Sequence, residues 1–178
     1  MQGAFFMRCR MVICAALFGL SASALHAQTV GETQLKVALI YNFIMFTEWP
    51  ADAFTNNKLS ICAMKNSALL DALLTLEVRA IRSRPLQIVQ LTEAADYSGC
   101  AVLVIDRIDR LQLPSIRKTI ASRSVLTILD GDDVDNDGAI IAMSVVNGRM
   151  VFDINTQSAQ NARLIFSSKL LRLARKVQ

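Results

Sequence analysis

Two hydrophobic periods alternate along this chain. Over residues 32–47, Leu35, Leu39, Phe43 and Phe46 return at three- and four-residue steps, and Ala38, Tyr41 and Met45 widen the apolar face. That spacing predicts a helix, with Thr33 as a candidate cap. Pro50 prevents its continuation, because the residue before a proline avoids the helical region. A helix this apolar must be buried by its own domain or by a partner. The run LKVALIYNFIMFTEWP is too short to span a bilayer, and it ends at the chain's only tryptophan, Trp49.

Beyond it the pattern switches between strands and helices. LSICAM (59–64) reads as a strand. Residues 67–78 read as a helix carrying Leu69, Leu70, Leu73, Leu74 and Leu76. LQIVQL (86–91) is a short strand with imperfect alternation. AVLVI (101–105) and SVLTIL (124–129) are unbroken apolar runs, as in strands covered on both faces, and Pro114 opens a helix to about Ala121 between them. Strands alternating with helices predict an α/β fold with a mixed, mainly parallel sheet and helices on both faces. AIIAMSVV and RMVFDIN then flank Asn147-Gly148, which supplies the positive φ angles of a type I′ turn and predicts a C-terminal antiparallel hairpin. Residues 158–177 read as helical with a break near Ser167. In that tail Leu170, Leu171, Ala174 and Val177 form an apolar stripe among Lys169, Arg172, Arg175 and Lys176. Such a face either packs on the sheet or docks on a protein or an acidic membrane surface.

The N-terminal segment changes the chemistry of the rest of the chain. Residues 1–27 combine an Arg-containing start, an apolar core over 11–20 and small residues before a candidate cleavage site after Ala27, the layout of a secretory signal peptide. Cleavage after Ala24, with Ala22 at the −3 position, is the alternative. An uncleaved anchor would need a longer apolar core. Cys14 follows bulky Ile13, where a lipidation site has a small residue. The expected organisation is therefore a signal peptide and a single domain over 28–178. With Arg8 and Arg10 taken from the 19 Lys and Arg, 17 basic residues face 15 acidic ones, a formal +2. That is no footprint for nucleic acid, which asks for a clustered basic face. The only histidine, His26, leaves with the segment, and this excludes histidine triads and histidine metal sites from the remainder.

Four cysteines become two, Cys62 and Cys100. In an exported chain such a pair predicts one disulfide; in the cytosol it would read as a reactive or metal pair. Cys62 lies well along the first strand and Cys100 just before the third, so the sheet must be staggered for the two to meet. The stretch DDVDNDG (132–138) fits the first half of a calcium loop, with Asp133, Asp135, Asp137 and Gly138 in place. Position 12 is Ser144 instead of the bidentate Glu, and the expectation is an acidic turn without a metal. No glycines are spaced as a nucleotide loop. Asp106 and Asp109 stand at a strand end, where α/β folds place ligands, yet alone they read as solvated loop charges. No catalytic residue, metal or cofactor is expected.

Taken in order, KVALIYNFIMFTEWP, LSICAM, SGCAVLVI, SVLTILDGDD, GAII, RMVFDIN and SSKLLRLAR resemble the YfiR family over residues 36–175. The resemblance implies a periplasmic, non-catalytic α/β regulator that binds and represses a membrane-bound diguanylate cyclase, lowering cyclic di-GMP and biofilm formation. It implies as partners the periplasmic portion of that cyclase and an outer-membrane lipoprotein that releases the repressor; a homodimer is left open. It also supports pairing Cys62 with Cys100. The second cysteine pair that some members carry around the hairpin is absent, since no cysteine follows Cys100. Trp49 and Glu48, with Leu170, Leu171, Arg172, Ala174 and Arg175, are the candidate partner-binding residues. Two rival readings are a small-ligand sensor with a pocket at the sheet end and an enzyme using Asp or Ser.

Overall fold

The computed structural model describes residues 24–54, 56–92, 97–131 and 138–178. Most of the expected signal peptide and nearly all of the Asp-rich turn lie outside the described residues. The chain divides into two units, Met1–Leu35 and Lys36–Gln178. In the first, the structure describes the opening of helix α1 (Ala24–Met45). The second holds the rest of α1 and all the later elements.

Helix α1 ends earlier than its periodicity predicts. Thr47 turns its hydroxyl back to donate to the carbonyl of Phe43 at 2.6 Å, while its backbone enters a two-residue strand, β1 (Thr47–Glu48). β1 pairs antiparallel with β9 (Ile165–Phe166), near the other end of the chain. A long-range strand partner thus takes over at Phe46 and Thr47, which fit the helical period but are weak helix formers.

The main sheet has eight strands in the order β10-β8-β7-β6-β5-β2-β4-β3. They are β2 (Leu59–Met64), β3 (Ala80–Ile81), β4 (Arg84–Leu91), β5 (Val102–Asp106), β6 (Leu126–Asp130), β7 (Ile141–Val146), β8 (Arg149–Ile154) and β10 (Lys176–Val177). The neighbours from β4 to β7 pair in parallel; β3 and β8 are antiparallel additions, and β10 runs parallel to β8. This is the mixed, mainly parallel sheet that the alternation predicts. The hairpin is present too: Asn147 and Gly148 have φ of 50° and 73°, as a type I′ turn requires.

Both faces of the central strands are covered, which explains their unbroken apolar runs. On the first face Ile61, Val102, Val104, Leu126 and Ile128 meet Ile40, Phe43 and Ile44 of α1. The rings of Phe43 and Phe152 stand 4.8 Å apart there. Helix α2 (Leu70–Leu74) adds Leu70 and Leu73 to this face. On the second face Cys62, Leu103, Ile105 and Leu129 meet Leu113, Ile116 and Ile120 of α3 (Leu113–Ile120). Those three recur at helical spacing, so one side of α3 is buried and its cations stay outside.

Two expected helices are shorter than their patterns. The leucine-rich run 67–78 keeps only α2, because Thr75 and Leu76 donate to carbonyls three residues back, tightening the chain out of α geometry. The tail is not one broken helix. It comprises α4 (Thr156–Asn161), β9, α5 (Ser168–Leu173) and β10. Arg163, at φ 57°, turns the chain after α4, and Ser167 caps α5 by accepting from the amide of Lys169. Ala174 is extended, and the amides of Arg175 and Gln178 donate to Phe152 and Ile154 of β8. Val177 therefore belongs to a strand and leaves the predicted stripe.

Candidate functional site

The β1–β9 ribbon joins the two stretches nominated for partner binding. Glu48 lies opposite Ile165, and the amide of Ser167, the cap of α5, donates to the carbonyl of Phe46 at 2.9 Å. Asp52 and Arg163 form a second tie across the same junction at 2.9 Å. Glu48 is exposed and reaches Arg82 at 3.4 Å; both side chains are more than half exposed, so water screens the pair strongly.

Trp49 is half-buried, packed on the first-face core, with its ring 6.0 Å from that of Phe54. Its Nε1 is buried and has no acceptor. Beside it lies a pocket of 290 Å³ lined by Trp49, Phe54, Ile81, Arg82 and Arg84. Arg84 stacks on Phe54, 4.2 Å from the ring centroid.

The C-terminal nominees separate by burial. Leu170 is 2 % exposed and belongs to the core, so it presents no surface. Leu171 and Ala174 pack partly against the same core, and Arg172 is exposed. Arg175 is tied down: its Nε donates to Oδ1 of buried Asp153 at 2.8 Å, and its Nη2 pairs with Oδ2 of the same carboxylate. It anchors β10 to the hairpin, with its side chain still 39 % exposed. The surface nearby exposes two large apolar side chains that the stripe omits, Ile165 at 66 % and Leu173 at 69 %. Leu173 does carry a periodic signal, since Leu170, Leu173, Ala174 and Val177 stand at steps of three and four, and the predicted stripe passes over it; Ile165 is one apolar residue in a short connection and gives none.

Cys62 and Cys100 are joined, with Cα atoms 5.7 Å apart. The sheet needs no stagger to allow this. Cys62 lies opposite Leu103, three residues past Cys100, which along a straight strand would be about 10 Å away. A tight turn over Tyr97–Gly99 folds the chain onto the second face, where both cysteines are buried.

The strand-end carboxylates differ from their expectation as solvated charges: Asp106 and Asp109 are each only 9 % exposed. Asp106 accepts from the hydroxyl of Ser67 and the amide of Ala68, both at 2.8 Å, clasping the loop after β2 to the end of β5. Asp109 comes next, in a 3-10 turn (Arg107–Gln112). Its Oδ1 accepts from Nε2 of Gln112 at 3.3 Å, and its Oδ2 is buried without a partner. Burial, and next the charge of Asp106, push the Asp109 carboxyl above its usual range. Burial and then Asp109 push the Tyr97 phenol up in turn. A pocket of 500 Å³ opens here, lined by Met64, Lys65, Asn66, Leu91, Asp109 and Gln112.

Among the described residues no three His, Cys, Asp or Glu side chains are grouped to hold a metal, and no helix is long and apolar enough to cross a membrane. The sequence profile of the YfiR/HmsC-like family matches residues 33–175, nearly the whole described chain. No curated protein matches it.

Proposed function

The chain belongs to the YfiR/HmsC-like family, and from that premise we propose that it is a periplasmic, non-catalytic repressor that binds the periplasmic portion of a membrane-bound diguanylate cyclase. The match of residues 33–175 to that family is the observation that carries this reading, together with the resemblance to regulators of diguanylate cyclases. Binding would hold the cyclase inactive and keep cyclic di-GMP and biofilm low. An outer-membrane lipoprotein that captures the repressor would release the enzyme.

The contact surface in this reading is the junction of β1, β9 and α5. It offers exposed Ile165 and Leu173, the accessible edges of Trp49, Leu171 and Ala174, and Glu48 and Arg172 as charges around them. Desolvated apolar anchors ringed by polar groups are what an affinity-bearing patch needs. Nothing in 28–178 supplies a histidine for acid–base catalysis, which favours regulation by binding.

Deleting the gene tests the proposal. Cyclic di-GMP should rise in a strain that expresses the cognate cyclase and stay unchanged when that cyclase is deleted too. An unchanged level in the single deletion defeats the repressor reading.

A further inference from the structure

At the amino ends of β6 and β7, helices α3 and α4 wall a cleft of 480 Å³. Pro114, Arg117, Lys118 and Ala121 line it at the three- and four-residue steps of one helical face. Ser158, Asn161 and Ala162 line the other wall. The floor is apolar and buried, formed by Val125 and Ile140. Beneath it the hydroxyl of Thr127 accepts from the amide of Ile140 at 2.9 Å, which ties the entry of β7 to β6.

The cations of this cleft are placed and open to a ligand. Arg117 is exposed, yet its guanidinium folds onto Gly138, which also lines the cleft. Gly138 has φ of 71°, and a Cβ there would stand 2.8 Å from Cζ of Arg117, so only glycine leaves this seat for the guanidinium. Neither Arg117 nor Lys118 has an ion-pair or hydrogen-bond partner among the described residues. Arg123 adds a third cation to the lining, held by donation from Nη1 to the carbonyl of Ser98. Among the described residues that line the cleft none is acidic. Like charges gathered around a low-dielectric concavity focus their potential into it. A guanidinium fork beside an ammonium matches the oxygens of a carboxylate or phosphate. A cleft of this volume with apolar walls suits a small organic molecule.

We propose that this cleft binds a small organic anion, with its carboxylate or phosphate on Arg117 and Lys118 and its aliphatic body between Ala121 and Ala162. The site shares no lining residue with the β1–β9 surface and does not rest on the repressor reading.

The test uses the purified full chain and three probes with the same six-carbon body: hexanoate, hexyl phosphate and hexan-1-ol. Calorimetric titration should detect at least one of the anions and not the alcohol, and the tighter anion identifies the group the site takes. The methyl signals of Ala121 and Ala162, labelled with carbon-13, should move on adding that anion and report where it sits. Arg117→Gln should weaken it at least about tenfold, the scale expected for losing a charged partner. Gly138→Ala should weaken it as well, because the new Cβ displaces the guanidinium while every charge is kept. Thermal melts accompany both variants; should Gly138→Ala fail to fold, Arg117→Gln, at an exposed position, still decides. Four results would each overturn the proposal: no binding of either anion at millimolar concentration, binding of the alcohol as tight as that of the anions, equal binding by Arg117→Gln, or binding that leaves both alanine methyls unmoved.

Discussion

Removing the Cys62–Cys100 link should lower stability by an amount its position in the chain sets. The cysteines are separated by 38 residues. In the chain-entropy model, cross-linking a loop of that length restricts the unfolded chain by about 4 kcal/mol. For a domain of this size each kcal/mol moves the melting temperature by about 2–4 °C, so the link accounts for about 8–16 °C. The choice of variant matters, because both residues lie in the second-face core, Cys62 at 0 % and Cys100 at 7 % exposure. Serine would bury two hydroxyls without partners and add an unrelated penalty. Reduced native protein keeps every side-chain atom and isolates the cross-link; the Cys62→Ala, Cys100→Ala pair adds the cavity left by two sulfurs. Circular dichroism melts of oxidised protein, protein unfolded and refolded in reductant, and the double variant separate the two contributions. Reduced protein should melt about 8–16 °C below oxidised protein, and the double variant at or below the reduced form. A drop under about 3 °C on reduction would mean that the denatured chain is already confined without the link, and the loop-closure argument would fail.

Leu170 and Leu173 should behave oppositely although they share α5. Leu170→Ala should destabilise by about 2–5 kcal/mol in urea titrations, as for any leucine removed from a packed core; Leu173→Asp should leave the melt nearly unchanged while weakening capture of the cyclase from membrane extracts. Equal destabilisation by both would contradict their burial. Asp109→Asn should show a pH-dependent gain. A carboxyl raised above its unfolded pKa contributes stability below the unfolded value and loses it as pH rises through the folded value. The variant should therefore be more stable than native protein near pH 7, with the advantage shrinking toward about pH 4. Asp106, Tyr97 and Lys65 are the titratable neighbours, and urea melts from pH 4 to 8 read the difference; a gain that stays constant across that range would show that the carboxyl is not the cause.

How much of the fold is legible in the sequence depends on how local each determinant is. LSICAM and the strand Leu59–Met64 coincide because burial on both faces writes itself as a continuous apolar run. Asn147-Gly148 is legible because its two residues by themselves supply the turn's positive φ. The tail is not. Leu170, Leu171, Ala174 and Val177 satisfy a helical period, but the carbonyls of Phe152 and Ile154 draw the last residues into the sheet edge, and no local pattern reports that. The same blindness hides Asp106 and Asp109. Their burial depends on Ser67, Ala68 and Gln112 arriving around them, so an acidic loop and a buried carboxylate pair look alike in one dimension. At the candidate interface the sequence supplies Glu48 and Trp49 at one end of the chain and α5 at the other. It cannot supply the two-residue ribbon that makes them neighbours.

That ribbon also sets an order of events during biosynthesis. Thr47 and Glu48 emerge early and wait for Ile165 and Phe166, and the apolar face of α1 waits for Phe152. Until the end of the chain has emerged, Ile40, Phe43 and Ile44 lack part of their cover, so the first face closes late. Contacts between such distant segments must overcome the entropy of closing a long loop, which slows folding. Under the export proposed above, slowness would be useful: a polypeptide that completes its core only when these late segments are present remains threadable while it is being synthesised. The cost is an apolar helix left open to wrong partners in the meantime, which makes α1 the segment a holding chaperone should grip first.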